Sequence, residues 1–387
     1  MDVPELQQTI KRIKVGIQQS LVGVIDREVV AQLILLGAIA QEHLLLIGPP
    51  GTAKSYVVKR VASVMGGSYF EYLLGKFTEP SELFGTIDFA KLKTGRFETQ
   101  TEGMLPEANF VFLDEIFLAS TAILNTLLSV LNERKFRRGH TQQPCPLKIC
   151  VGASNHLPED DTLSAFSDRF LLTYFIEPIA DPQLEALLTS GWELAKAPPL
   201  QNQNLLRDID RISSQLKQVD ISPVIPYLAD TIRTLRKKDI LLSDRRLTKL
   251  TKLIAASALL EGRFSAYQQD LWPIIYAIQN EEQQRLACEA LKDYIGNAQH
   301  SLFGEAIYAA MGSLNSLESV LINDAEKLLF NYHNCTKDNE SGTKGAHKWS
   351  IQAEDLLKQI DAGFSSMEIS EKLSMLRQQL IELTVSV

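Results

Sequence analysis

Five short apolar runs punctuate the first half of the 387-residue chain. They are "HLLLIG" (43–48), "SYFEYLL" (68–74), "NFVFLD" (109–114), "LKICVGAS" (147–154) and "FLLTYFIE" (170–177). Stretches of helical periodicity separate them, among them Ser55–Met65 and Ser120–Glu133. Parallel strands need a long crossover connection, and a helix is the usual one. Runs this apolar suit strands buried on both faces. The expectation is an α/β core to about residue 182, a parallel sheet covered by helices on both sides.

Residues 76–106 break the rhythm. Gly75, Gly85, Gly95 and Gly103 supply turn signals, and "GRFETQ" can form one arm of a hairpin. The segment reads as an insertion projecting from the sheet edge. Beyond about residue 182 the strands stop. "SPVIPYLADTIRTLRKKDI" and "SDRRLTKLTKLIAASALLEGR" read as helices, with Ser243 capping the second and Leu247, Leu250, Ile254 and Ala258 as its apolar stripe. Residues 183–297 are expected to form a small helical domain, and 298–387 a further helical region with a polar surface loop at 334–347. Ile369, Leu373, Leu376, Leu380 and Leu383 alternate spacings of four and three over two heptads. Packing against the preceding helix is the simpler account of that seam, and docking to a partner the sharper one.

Hydrophobic residues make up 45% and charged residues 22%, a soluble globular balance. No apolar run approaches the ~18 residues that span a bilayer, and the N-terminal twenty residues lack the apolar stretch of a secretory signal. With four scattered cysteines, a reducing cytoplasm is the expected location. Cys145 and Cys150 read as isolated thiols, because no second pair or His partner lies at metal-ligand spacing. A net charge of −8 argues against nonspecific binding of nucleic acid by the whole surface. The local exception runs from Arg233 to Lys252, where Asp239 and Asp244 alone oppose eight basic residues.

The first apolar run leads into Gly48-Pro49-Pro50-Gly51-Thr52-Ala53-Lys54-Ser55, a phosphate-loop pattern opening a helix. Phosphate binding needs backbone N–H groups converging on one point with a helix N-terminus behind them. Gly48 and Gly51 let the chain curl, Lys54 would reach the β- and γ-phosphates, and Ser55 would offer a hydroxyl to Mg²⁺. Ala53 departs from the usual Gly. Its methyl is harmless if the residue is helical and costly if φ must be positive. The alternative is a functionless turn ahead of a helix.

"NFVFLDEI" ends a strand with Asp114 and Glu115, facing the crevice where ligands sit in α/β sheets. Asp114 can hold the Mg²⁺ shell through water, and Glu115 can polarise an attacking water. A solvated carboxylate pair opening a helix is the plainer reading. Asn155 lies just past the next strand, where an amide can touch both γ-phosphate and water, or merely form the loop. Arg169 precedes the last strand, as a surface residue or as an arginine finger supplied to a neighbouring subunit. Arg134, Arg137 and Arg138 compete for that role, though solvated loop charges account for them more simply. Arg245 and Arg246 stand at a helix start, where the dipole disfavours cations, and an anion nearby would offset this. Arg245 is the favoured contact and Arg246 the fallback.

These residues together resemble the MoxR family of AAA+ ATPases, and most closely its regulatory ATPase variant A (RavA) branch. The resemblance is carried in family order by "GPPGTAKS", "FEYLLGKFTEPSELFG", "GMLPEANFVFLDEI", "ILNTLLSVLNERKFRRG", "ASNHLPE", "SDRFLL" and "SDRRL", over roughly residues 20–260. Small non-Gly residues before the phosphate-loop Lys are common in that family, so Ala53 fits it. The resemblance implies a five-stranded AAA+ core, an all-helical lid and a ring, usually a hexamer. It implies ATP or ADP with Mg²⁺, held by Gly48–Ser55 and Asp114, with Ser55 and Asp114 on the metal. Glu115 would be the Walker B glutamate, Asn155 sensor 1, Arg169 the finger, and Arg245 sensor 2 acting in its own subunit. Residues 76–106 would carry the helix-2 insert, facing pore or partner. MoxR-like proteins resemble remodelling chaperones paired with a von Willebrand factor A (vWA) domain protein that binds the client.

Three functions compete on this basis. The first is an ATPase that remodels or activates a protein client. The second is a nucleotide-gated scaffold in a signalling or defence complex, with little turnover. The third is a DNA-acting motor, supported by the basic stretch 233–252 alone.

Overall fold

In the computed structural model the described residues are 3–93, 97–158, 160–194, 204–296, 298–311 and 371–385, with isolated positions at 325, 328, 353, 356–358 and 360. The chain divides into two units, 1–310 and 311–387.

In the first unit, each of the five apolar runs contains one strand, trimmed at its ends: β1 (Leu44–Ile47), β2 (Tyr69–Leu73), β3 (Phe110–Asp114), β6 (Ile149–Ser154) and β7 (Leu172–Phe175). They form one sheet in the order β2-β3-β6-β1-β7, and every pairing is parallel. β1 and β6 are buried along their whole length. The parallel register brings the carboxyl ends of β1, β3 and β6 to one edge. Ile47 lies opposite Ser154, and Leu113 opposite Gly152.

Helices α1 (Val3–Leu21), α2 (Glu28–Ala40), α3 (Lys54–Met65), α6 (Thr121–Glu133) and α7 (Asp161–Ser167) accompany the sheet. α2 is apolar on every side and buried from Val30 to Ala40. Such a helix needs cover all round. It packs against α3 and the sheet, and also against α9 (Leu206–Gln215), α11 (Asp244–Leu260) and α14 (Gly304–Ala310).

The insertion carries two short helices, α4 (Pro80–Phe84) and α5 (Phe89–Leu92). The expected hairpin arm at "GRFETQ" reduces, among the described residues, to a single antiparallel bridge, Ile87 with Thr99. The hairpin lies elsewhere, in β4 (Lys135–Arg138) and β5 (Thr141–Pro144), a segment whose arginines read as loop charges. The insertion is anchored on that hairpin. Arg138 donates to the Gly85 carbonyl at 2.9 Å, and Phe84 stacks on Phe136 with ring centroids 5.5 Å apart. Phe77 and Phe89 project, 95% and 71% exposed.

The rest of this unit is helical: α8 (Leu184–Leu194), α9, α10 (Ile225–Arg236), α11, α12 (Glu281–Ala290), α13 (Lys292–Ile295), α14 and a 3-10 stretch at Gln268–Ala277. Ser243 caps α11, its hydroxyl accepting from the Arg246 N–H. Leu250, Ile254 and Ala258 of the expected stripe are fully buried. Because α14 packs on α2, this unit runs past the expected boundary at 297, to Ala310. No helix among the described residues is long and apolar enough to cross a membrane. Cys145, Cys150 and Cys288 are free and buried.

In the second unit, the helix Glu371–Val385 buries Leu373, Leu376 and Leu380 against Ala325, Leu328, Ala353, Leu356 and Ile360. Three seam residues therefore pack within their own unit. The side chains of Ile369 and Leu383, and the polar loop 334–347, lie outside the described residues.

The anchoring of the insertion is testable at Gly85. Its φ is +97°, and an added Cβ would sit 1.9 Å from the Gln100 carbonyl oxygen. Gly85→Ala should loosen this turn, at a cost on the order of 1–3 kcal/mol of local strain. Limited proteolysis is expected to cut within 76–106 sooner than in the parent, while Leu45 and its neighbours keep the sheet folded.

Candidate functional site

The loop after β1 is shaped by close approaches. Gly48 continues the strand, its N–H donating to the Ser154 carbonyl at 3.1 Å. An added Cβ on Gly48 would lie 2.3 Å from the Ile176 carbonyl oxygen, so no other residue fits. Pro49 and Pro50 are exposed, and the Thr52 hydroxyl donates back to the Pro49 carbonyl at 2.9 Å. Gly51 has φ +80° with open space where a Cβ would stand. Ala53 has φ +61° at the start of α3, so the costly alternative holds. The left-handed region costs a non-Gly residue roughly 1–2 kcal/mol.

Lys54 is buried in the first turn of α3, and Ser55 follows it. The Lys54 ammonium donates to the Gly48 and Pro49 carbonyls at 2.7 and 3.0 Å. Burial lowers its pKa, and Asp114 and Glu115 oppose that shift. Asp114 ends β3, one of its oxygens accepting from the Glu115 N–H at 3.0 Å. Glu115 is itself left-handed, at φ +50°. The Asn155 amide donates to the Glu115 carboxylate at 2.7 Å. This contact exists because β6, which delivers Asn155, lies between β1 and β3.

Two cavities flank the loop. One of about 640 Å³ is lined by Gly48–Pro50, Asn155, Phe175 and the start of α12 at Asn280–Glu282. The other, about 420 Å³, is lined by Val24, Ile25, the loop itself, Tyr56, Ile179 and Leu187 of α8. These apolar residues were not legible as site residues, because no local motif marks them. Arg27 was also missed. Its guanidinium is buried and donates to the carbonyls of Thr52 at 3.0 Å and Glu177 at 3.1 Å, and to that of Asp26. It thus clamps the phosphate loop to the segment after β7.

The other arginines singled out in the sequence stand away from the loop. Arg169 stands ahead of the amino end of β7, whose Leu172 pairs with Leu44. It borders a separate cavity of about 470 Å³ between α6 and α7, and its buried Nε has no partner there. Arg245 meets the Asn132 side chain at the end of α6. Arg246 donates to the Phe170, Leu171 and Ala277 carbonyls at 3.0, 2.8 and 2.9 Å. In this structure Arg245 therefore does not reach the phosphate loop of its own chain. α11 begins at the amino-terminal edge of the sheet, while the loop lies at the carboxyl edge. Arg246, the fallback, is bonded to backbone carbonyls and does not reach that loop here either. Arg134 and Arg138 bond to the Gln41 and Gly85 carbonyls, and Arg137 forms a surface ion pair with Glu133. In the basic stretch, Lys249 and Lys252 both pair with the buried Glu42.

A buried ammonium behind a curled loop, two carboxylates and a bridging amide suit a nucleotide polyphosphate with a divalent cation. The sheet order and helical lid define a phosphate-loop α/β nucleotide-binding protein of AAA+ type. A family model described as "MoxR domain in the MoxR-vWA-beta-propeller ternary systems" matches residues 8–214, and one described as "AAA lid domain" matches 220–291. The chain belongs to the MoxR family of AAA+ ATPases.

It is 36% identical over 249 residues to an uncharacterized protein of Methanocaldococcus jannaschii, covering 64% of each chain. It is 30% identical over 167 residues to the chaperone MoxR1 of Mycobacterium tuberculosis, covering 42% of this chain and 43% of that one. The chain spans 64% of the length of the first archaeal relative and 66% of a second. The crystal structure of an ATPase candidate from Cytophaga hutchinsonii superposes with a TM-score of 0.62, covering 75% of this chain and 95% of that one. Its identity is 21%, so this likeness speaks to the fold alone.

Ala53→Gly would relieve the left-handed strain, offset by the greater freedom of Gly in the unfolded chain. The expected net gain is about 0.5–1 kcal/mol, read as a higher urea midpoint at unchanged slope. A lower midpoint would show that the Ala53 methyl makes a contact outweighing the strain.

Proposed function

We propose that the chain is a Mg²⁺-dependent ATPase that hydrolyses ATP between subunits of a hexameric ring to remodel, activate or assemble a protein client. The observation that carries this reading is the Asn155–Glu115 hydrogen bond at the mouth of the phosphate loop. A glutamate held by an amide, one residue from a metal-binding aspartate, is placed to polarise a water.

The backbone of Gly48–Ala53 cradles the phosphates, and Lys54 exchanges its carbonyl partners for phosphate oxygens. Ser55 and Asp114 hold the metal shell, largely through water. Bound Mg²⁺ supplies charge neutralisation and geometry for the transferred phosphoryl group. The 420 Å³ apolar cavity at Val24, Ile25 and Tyr56 suits the nucleobase. Glu115 takes up the proton of the attacking water, and Asn155 orients that carboxylate.

Arg169 completes the neighbouring site in trans. A finger for another copy must lie away from its own loop, and Arg169 borders a cavity with Phe117, Thr121 and Asp160 that Gly48–Ser55 do not line. Arg245, beside Asn132, also stands away from that loop, and we assign it to the neighbouring site as well. The family description supports a vWA-domain partner and, beside it, a β-propeller protein. The RavA-like branch rests on "SDRRL" and its companion motifs, and a cytoplasmic setting on the scattered cysteines of the sequence. A DNA-acting role loses support, because Arg246 is buried among carbonyls and Lys249 and Lys252 are both paired with Glu42.

Two variants test the reading in a steady-state phosphate-release assay. Arg169→Ala should lower turnover by ~10³–10⁵, the usual effect of a finger arginine, with nucleotide affinity retained. Glu115→Gln should bind ATP and hold it intact. Near-normal turnover in either variant refutes the role assigned to that residue.

A further inference from the structure

We infer that Arg246 is a positioning residue for Arg169, through which the lid of each subunit sets the finger it presents to its neighbour. The inference rests on the reading of Arg169 as a finger and goes beyond it.

Arg246 lies in the first turn of α11 and is 3% exposed. Its Nε donates to Ala277 of the lid, and its two terminal nitrogens to Phe170 and Leu171 of the core. Nη1 also lies 3.4 Å from both the carbonyl and the carboxylate of Asp168. The residues it holds, Asp168, Phe170 and Leu171, flank Arg169. Ser243, the cap of α11, adds a hydroxyl 3.4 Å from the same Asp168 carboxylate. A planar guanidinium with five donors can bind several carbonyls in fixed directions, which an ammonium cannot do. The short stretch between α7 and β7 thus takes its shape from the lid as well as from the sheet.

The same lid segment reaches the other edge of the core. From Ala277, bonded to Arg246, the chain runs alongside the edge strand β7. Gln279 donates to the Ser167 hydroxyl at 3.2 Å, and Gln284 to the Thr173 carbonyl at 3.0 Å. Between them, Asn280, Glu281 and Glu282 line the 640 Å³ cavity beside the phosphate loop. One continuous stretch of eight residues therefore touches the phosphate pocket of its own subunit and the seat of the finger destined for the next. A ligand in that cavity that shifts Asn280–Glu282 would bear on Ala277, Arg246 and the Arg169 segment together. The physical link is a chain of direct hydrogen bonds between named groups, and coupling through it is what the experiment must measure.

The test is Arg246→Lys in the full chain, which keeps the charge and removes the fork. Amide hydrogen exchange without nucleotide should quicken at least tenfold at residues 169–172, with residues 48–55 unchanged. Turnover should fall at least tenfold, with affinity for a nonhydrolysable ATP analogue within twofold of the parent. Combined with Arg169→Ala, it should add no further loss, because both changes remove one function. Unchanged exchange at 169–172, a multiplied loss in the double variant, or weakened nucleotide affinity at unchanged turnover would each overturn the inference. If Arg246→Lys does not fold, Gln279→Leu carries the same readouts. Should Arg169→Ala alone keep normal turnover, the finger reading fails and the link to the neighbour fails with it. The exchange result still decides whether Arg246 fixes the segment.

Discussion

The pairing of β6 between β1 and β3 is the constraint on which the site depends. Parallel strands share a direction, so their carboxyl ends meet at one edge of the sheet. β1 delivers the phosphate loop there, β3 delivers Asp114 and Glu115, and β6 places Asn155 between them. Were β1 and β3 direct neighbours, the loop and the carboxylates would still meet, but no amide would stand between them. The two buried strands at the centre leave little freedom for slippage, since each is covered on both faces.

Guanidinium groups, two of them buried, organise the irregular segments around this sheet. Arg27 holds the phosphate loop, Arg134 the turn before β1, and Arg246 the stretch before β7, each by donating to backbone carbonyls. Carbonyls outside regular structure lose their water on burial and need another donor. A guanidinium offers up to five donors in a rigid plane, so one side chain can satisfy several of them. The cost appears as desolvation, which lowers the pKa of Arg134 and of Arg246. Removing Arg246 strands three buried carbonyls together, which makes that position structurally sensitive despite its distance from the phosphate loop.

Two of the seven left-handed non-glycine residues among the described ones stand where the chemistry is expected. Ala53 and Glu115, which flank the phosphate position from loop and strand, both occupy the left-handed region without being glycine. Surrounding structure must enforce such conformations, and they gather at sites that need fixed geometry. The Thr52 bond to Pro49, the Arg27 clamp and the Asn155 bond to Glu115 supply that enforcement. At the amino-terminal edge the order is different. Arg169 keeps a buried nitrogen without a partner among the described residues, beside a cavity, while its flanking residues are tied down by Arg246.

The sequence by itself determined the features that depend on neighbours along the chain. Apolar runs of strand length marked all five strands, the loop from Gly48 to Ser55 announced its curl, and Ser243 announced the start of α11. These are short-range matters of backbone preference and side-chain spacing, and they survive without knowledge of the partners. Only the tertiary structure decided what each lone charged or apolar residue meets. Arg27, Arg245 and Arg246 look alike in the sequence, yet one clamps the loop, one lies at the far edge beside Asn132, and one is buried among carbonyls. Val24, Ile25 and Tyr56 become a cavity wall only when α8 comes near, and the β4–β5 hairpin became a platform only with the insertion laid on it. Charges act through whatever they face, and what they face is brought there by segments as far apart as Arg246 and Leu171, a separation no local pattern encodes.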